Sequence, residues 1–213
     1  MIKDFKFKLY FRKSSFKKDT ISAKILFEQI ENYKPKNFLE VGVFQGVTSR
    51  NICEKLNQIY HNEFNYYGID IFEDADNYLD DKEMTSKHNK ISNPLKHLLY
   101  NIIFKENLNS LKSVKKLLKN FNRNVTLYKG LSSEILPKLD MSKIDFVFLD
   151  GGHSYETVKN DLFLIIKNIK KNKIIICDDY DQKNYGVKKA VDELKDSVTE
   201  IKELNKRLVK ITT

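Results

Sequence analysis

The stretch Phe38-Leu39-Glu40-Val41-Gly42-Val43-Phe44-Gln45-Gly46-Val47-Thr48-Ser49 decides how the rest of the chain is read. Residues 37–43 (NFLEVGV) are a short, mostly apolar run after Pro35, the signature of a buried strand. From Gly46 to Ile59 the apolar residues Ile52, Cys53, Leu56 and Ile59 recur at helical spacing. Gly42 and Gly46 therefore bracket a strand-to-helix turn, where glycine permits positive φ and close approach of backbone to a ligand. Tight packing of strand on helix would use the same two glycines. The dinucleotide pattern G-x-G-x-x-G is missing, since Phe44 stands where a second glycine belongs. No Gly-Lys-Ser/Thr follows, so the turn is not a Walker phosphate loop.

Working outward, strands and helices alternate. A helix is expected over Ile21–Tyr33, and further strands over Tyr66–Ile71, Asn124–Tyr128, Ile144–Asp150 and Lys173–Cys177. Helices are expected over Ser132–Leu139, Tyr155–Lys170 and Tyr185–Leu194. Such alternation predicts an α/β domain whose parallel sheet is covered on both faces. The end differs: Val198–Leu204 and Arg207–Ile211 flank Asn205-Lys206 and read as an antiparallel hairpin. Between the second and third strands lies a long segment, 72–123, acidic at first and then basic, with helical stretches at Leu95–Phe104 and Leu108–Asn120. It reads as an insertion near the mouth of the site, a lid or a decorated crossover. Residues 1–20 form a basic N-terminal extension to a domain over 21–213, and Phe5, Phe7, Leu9 and Phe11 alternate there with polar residues or Tyr10 at strand spacing.

The chain has 213 residues, enough for one domain with a sizeable core. Fourteen Phe and eleven Tyr argue against general disorder, and seven Gly with three Pro exclude collagen-like or low-complexity classes. Cys53 and Cys177 alone cannot build a disulfide framework, which predicts a reducing compartment and a cytoplasmic protein. No apolar run is long enough for a membrane span, and the first residues do not read as a secretory signal. The net charge of +9 is concentrated in residues 1–20 and 86–129. Those blocks could meet phosphates, nucleic acid or an anionic membrane, or form a solvated lysine-rich face.

In an open parallel sheet, ligands bind beyond the carboxyl ends of the strands. The second expected strand ends in Gly68-Ile69-Asp70, and an acid at that position, with the glycine turn, suits the ribose hydroxyls of an adenosine-containing cofactor. The fourth ends in Asp150, followed by Gly151-Gly152-His153, and the fifth is followed by Asp178-Asp179. Three carboxylates at one sheet edge repel unless a proton or cation joins them. Oxygen donors suit Mg²⁺ or Mn²⁺ better than zinc. His153 is a candidate general base, its imidazole titrating near neutrality. The alternatives are that Asp178, Asp179 and His153 merely cap the helices that follow them.

The set 38–48 (FLEVGVFQGVT), 67–70 (YGID), 130–134 (GLSSE) and 145–156 (DFVFLDGGHSYE) resembles class I S-adenosylmethionine-dependent methyltransferases, in particular small-molecule O-methyltransferases with an Asp-Gly-x-His-x-Tyr-Glu element. Residues 177–180 (CDDY) with 186–194 (GVKKAVDEL) are similar to macrocin-type sugar O-methyltransferases, and the resemblance spans about residues 36–213. It implies a Rossmann-like, doubly wound, mostly parallel seven-stranded sheet with a C-terminal antiparallel hairpin. It also implies that Glu40, Gly42 and Gly46 shape the pocket for the methionine part of S-adenosylmethionine, that Asp70 holds the ribose, and that Ser132 or Ser133 lies near the adenine. Asp150, Asp178 and Asp179 would hold Mg²⁺, with Asp150 and His153 catalytic. Some relatives carry a second acid two residues after the first metal aspartate; here that position is Gly152, which moves the base to His153.

The implied activity is O-methylation of a hydroxyl on a small molecule, a sugar or anionic glycan first, with divalent-metal assistance. The rivals are a nucleic-acid methyltransferase and a non-catalytic cofactor-binding domain. Nucleic acid is disfavoured because no Asn-Pro-Pro-Tyr-like element appears, and the grouped carboxylates disfavour a pure binding module. A nicotinamide oxidoreductase is disfavoured by the absent dinucleotide pattern. The acceptor's identity and whether the chain forms a homo-oligomer stay open.

Overall fold

The structure is a computed structural model that describes residues 12–14, 16–73 and 107–213. The expected helix Leu95–Phe104, most of the 72–123 insertion and the alternating segment 5–11 lie outside the described residues.

Thr20 caps the first helix, α1 (Ile21–Tyr33), its hydroxyl accepting from the Ala23 amide, and Lys34 ends it in the left-handed region. Ala23, Leu26 and Ile30 bury one stripe of α1. Then follow β1 (Asn37–Val41), α2 (Val47–Tyr60) and β2 (Asn65–Asp70). After the undescribed segment come α3 (Leu111–Leu117), a 3₁₀ turn at Lys119–Phe121, and β3 (Val125–Lys129). Then come α4 (Ser132–Ile135), β4 (Phe146–Leu149), α5 (Tyr155–Asn168), β5 (Ile174–Cys177) and α6 (Val187–Asp192). The chain ends with β6 (Glu200–Glu203) and β7 (Val209–Thr212).

One seven-stranded sheet has the order β3-β2-β1-β4-β5-β7-β6. The first five strands pair in parallel, while β7 runs antiparallel between β5 and β6. This is the Rossmann-like architecture with a terminal hairpin that the sequence implied. The alternation of side chains gives the sheet two cores. Leu39, Val41, Val147, Leu149, Ile175 and Ile211 face α5 and α6. Phe38, Tyr66, Phe146, Phe148 and Ile176 face α1 and α2, where the Phe38 ring stacks between Tyr66 (6.2 Å) and Phe146 (5.1 Å). β4 and β5 are buried at every position, as central parallel strands must be.

Topology positions the site. From β1 the chain winds outward through β2 and β3, then returns to place β4 on the other side of β1. The crevice between the ends of β1 and β4 is therefore the switch point. There the Asp150 amide donates to Val41 O, and Gly42, with φ of 96°, lies so close that a Cβ would sit 1.8 Å from Asp150 O. Any other residue would push the two strand ends apart. At Gly46 a Cβ would meet Val114 of α3 at 2.9 Å, so that glycine serves packing of helix on helix. On the far side Cys177 pairs with Val209, which carries the turn before β7 to the end of β5.

Candidate active site

A cavity of about 470 Å³ opens at this switch point, within the size range of small-ligand sites. Gly42, Val43, Phe44, Val47 and Thr48 line it from the β1–α2 turn, and Asp150, Gly151 and His153 from the loop after β4. Asp179, Gln182, Tyr185 and Arg207 close the β5 side, and Lys13 and Ser14 cross from the N-terminal segment.

The acids behave differently from one another. Asp178 is 3% exposed and turned to Arg207, whose Nε donates to Oδ1 (2.6 Å) and whose Nη2 donates to Oδ2. The same Nη2 lies 3.3 Å from Asp179 Oδ1, and the guanidinium rests 5.0 Å over the Phe16 ring. His153 approaches Asp179 instead, Nε2 to Oδ2 at 3.1 Å, and its ring stacks on Tyr185 at 4.4 Å. The donor atoms of Asp150, His153 and Asp179 lie within 4.8 Å of one another. Of the three expected metal ligands, two thus come together with His153, while Asp178 is held by a guanidinium. The difference arises because the hairpin delivers Arg207 to the most buried of the three carboxylates.

Burial raises the Asp150 carboxyl well above the ordinary carboxylate range, and the neighbouring Asp178 and Asp179 push it further. Burial also raises Asp178, against the lowering pull of Arg207. Three carboxylates share one guanidinium here, so a proton or a cation between them is favoured. The two carboxylates suit Mg²⁺ or Mn²⁺, while the imidazole is a donor that favours ions of the iron-to-zinc range over Mg²⁺.

The residues expected on the adenosine side stand apart. Asp70 does not line the cavity; it accepts from the amides of Phe44 (2.7 Å) and Phe72 (2.5 Å), holding two turns whose φ values are 50° and 52°. Positive φ at phenylalanine is strained, and strained turns cluster at functional edges. Burial raises the Asp70 carboxyl while these amides lower it. Ser132 donates to Asp161 Oδ1 of α5 at 2.7 Å, and neither it nor Ser133 lines the cavity. Glu40 points into the core beneath α2, fully buried, and takes a hydrogen bond from the Tyr66 hydroxyl. Burial pushes its carboxyl up to about 8. Of the expected cofactor residues, Gly42 alone lines the described cavity.

Sequence reasoning missed Arg207, Lys13, Gln182 and Tyr185 as site residues. For Arg207 a signal existed: it lies just before the last strand of a hairpin whose antiparallel return ends beside the Asp178–Asp179 pair. For Lys13 there was none beyond its charge.

A family model described as a methyltransferase domain matches residues 39–180, from β1 to just beyond β5. The chain belongs to the methyltransferase-domain family. It is an S-adenosylmethionine-dependent methyltransferase of class I. No curated protein matches the methyltransferase significantly in sequence. Among solved structures, it is similar to the methyltransferase PaMTH1 of Podospora anserina with S-adenosylhomocysteine bound (TM-score 0.64, 12% identity, 99% of this chain and 86% of that one). It is also similar to an O-methyltransferase of Bacillus cereus in complex with the same product (TM-score 0.60, 12% identity, 100% and 90%). A third is the O-methyltransferase TomG of Streptomyces achromogenes, involved in tomaymycin synthesis and solved with S-adenosylmethionine (TM-score 0.61, 14% identity, 100% and 88%). At these identities the likeness shows the fold. No helix among the described residues of the methyltransferase is long and apolar enough to cross a membrane.

Proposed function

We propose that the chain methylates a hydroxyl oxygen of a small molecule, with a sugar or anionic glycan as the favoured acceptor class and a divalent cation assisting. The observation that carries this reading is the meeting of Asp150, His153 and Asp179 in the cavity beside the Gly42 turn. S-adenosylmethionine supplies an electrophilic methyl group, and Asp150 and Asp179 would hold a divalent ion, whose positive charge would lower the pKa of a neighbouring hydroxyl.

The chain's own residues hold and move the proton. His153 Nδ1 is buried, so Nε2, beside Asp179, is the ring atom that serves the cavity. With the ring's own proton on Nδ1, the Nε2 lone pair accepts the hydroxyl proton as the oxygen–methyl bond forms and the methyl–sulfur bond breaks, the thioether product leaving. The new Nε2–H then donates to Asp179, which stabilises the imidazolium. Tyr185, stacked on the ring, fixes its plane. A ring that ligates an ion through Nε2 has no lone pair left there for the proton, so His153 serves as base only where the ion rests on the carboxylates. The fold's part is mainly orientation: glycine turn, acid loop and hairpin turn converge on one crevice.

A second reading keeps O-methylation and drops the ion. Arg207 favours it, since the guanidinium already offsets charge where a third ligand was expected. The two buried, unpaired thiols Cys53 and Cys177 suit a reducing compartment such as the cytoplasm.

The test is turnover of hydroxylated acceptors, sugars first, with S-adenosylmethionine, in metal-stripped enzyme and after adding Mg²⁺ or Mn²⁺. Asp150→Ala is expected to lower turnover by several orders of magnitude with the fold intact. His153→Ala is expected to cost roughly 10²–10⁴-fold and to remove the acid-side limb of the pH–rate profile, where the base would become protonated. Full rate in stripped enzyme sinks the metal part, and an unaltered profile in His153→Ala sinks the base.

A further inference from the structure

The segment 12–14 is tied into the cavity wall. Arg12 is 5% exposed, and its guanidinium donates to Gln45 O (2.8 Å), Leu108 O (2.9 Å), Ser113 O (3.2 Å) and Ser113 Oγ (2.7 Å). One side chain thus joins the N-terminal segment to the β1–α2 turn and to the start of α3. The stitching continues along the segment. The Lys13 amide donates to Gln45 Oε1 (2.6 Å), and Ser14 Oγ lies 3.1 Å from Thr48 Oγ1 while accepting from the Phe16 amide (2.9 Å). Asn51 of α2 donates to Phe16 O at 3.3 Å, and the Phe16 ring packs edge-on against Phe148 at 5.0 Å.

The wall so built differs in polarity from the rest of the cavity. The β4–β5 side presents the carboxylates Asp150 and Asp179, and its one guanidinium, Arg207, is already engaged by Asp178 and Asp179. The β1 side presents Lys13, the hydroxyls of Ser14 and Thr48, and the first turn of α2, with no carboxylate among its described lining residues. The N-cap of α2 is Gly46, which has no side chain to accept from the first-turn amides. A 14-residue helix with an uncapped N-terminus beside an ammonium and two hydroxyls suits an anionic group.

We propose that residues 12–14 are part of the cofactor site: Lys13 and Ser14 bind the carboxylate at the amino-acid end of S-adenosylmethionine, and Arg12 is the positioning residue that holds them there. This rests on the reading of the cavity as the cofactor's. S-adenosylmethionine carries a single carboxylate, and the β1 side is the part of the cavity whose lining complements it. Arg12 touches no ligand; it acts through Gln45 and Ser113, fixing the segment across the glycine turn.

The experiment is calorimetric titration of the full chain with two ligands, S-adenosylhomocysteine and 5′-methylthioadenosine, which share the nucleoside and thioether but not the amino-acid carboxylate. Lys13→Ala is expected to weaken S-adenosylhomocysteine roughly ten-fold or more, as loss of a charge-assisted hydrogen bond does. It should leave 5′-methylthioadenosine within about two-fold, and Lys13→Arg should retain most of the affinity. Arg12→Ala should raise KM for S-adenosylmethionine with little change in kcat, and Arg12→Lys should fall between. Equal weakening of both ligands by Lys13→Ala, or none, overturns the proposal even if Arg12→Ala fails to fold. A wild-type chain that binds neither ligand overturns the cofactor reading of the cavity itself.

Discussion

Arg207 and Asp178 form a two-point ion pair that joins the turn before β7 to the end of β5, Nε and Nη2 donating to separate carboxylate oxygens. The carboxylate is almost fully buried, whereas the guanidinium keeps about three-tenths of its surface exposed. The arginine therefore spans core and cavity, and the remaining acids are set against it.

Removing this arginine leaves a buried carboxylate uncompensated beside Asp150. Arg207→Ala should cost about 3 kcal/mol of stability at neutral pH. Asp178 already has its pKa raised in the fold, so its favourable contribution is full below its unfolded value and is lost as pH rises through the folded one. The deficit of Arg207→Ala should accordingly shrink as pH falls into the carboxyl range, a trend that denaturant melts at several pH values will read directly.

Glu40 predicts a second pH dependence. Its folded pKa of about 8 lies far above that of an exposed glutamate, so stability should decline from about pH 4.5 upward through pH 8. Glu40→Gln keeps the shape and the acceptor for Tyr66 but removes the charge. The variant should match wild type near pH 4.5 and exceed it at pH 8 by on the order of 4 kcal/mol. A parallel course of the two stability curves would show that Glu40 does not titrate in this range.

The two glycines of the first turn should respond unequally. In Gly42→Ala the new methyl meets the backbone of Asp150, which cannot yield without moving β4, so cofactor binding should be lost along with stability. In Gly46→Ala the methyl meets a Val114 side chain at 2.9 Å, and φ of 74° adds a left-handed penalty of roughly 1–2 kcal/mol. Thermal melts should rank Gly42→Ala well below Gly46→Ala, with binding of S-adenosylhomocysteine detectable only in the latter.

Ser132 supplies a hydrogen bond to Asp161, a buried carboxyl whose pKa burial raises to about 6 and whose second oxygen has no partner among the described residues. Ser132→Ala should cost about 1–3 kcal/mol above pH 7 and much less at pH 5, where Asp161 is protonated in the fold with or without the serine. Melts at the two pH values separate this from a simple packing loss, which would not vary with pH.

The strand ends were legible because the physics there is local. Apolar runs such as 146–149 and 174–177 stop at aspartates, and parallel topology brings those stops to one edge. The hairpin was legible for a similar reason, although β6 and β7 are shorter than the apolar pattern suggested. Which acid faces which cation was not legible. Asp178 and Asp179 are neighbours in sequence, yet Asp179 turns at φ of 55° and sends its carboxylate to His153, while Asp178 meets Arg207. Partners 29 residues apart in the chain leave no spacing pattern to read. Lys13 and Arg12 reach the site across separations of up to 101 residues, and a basic cluster at that distance looks like any solvated face.

The position of β7 gives the site a schedule. Because Arg207 precedes the last strand, the ion pair with Asp178 can form only after all the parallel strands of the sheet have been synthesised. A chain still held on the ribosome, short of residues 207–212, would carry the glycine turn and all three acids with no guanidinium among them. Completion of the hairpin is then the event that separates a folded scaffold from a working pocket, and pulsed release of stalled chains, one truncated at residue 199 and one carrying all 213 residues, would time it.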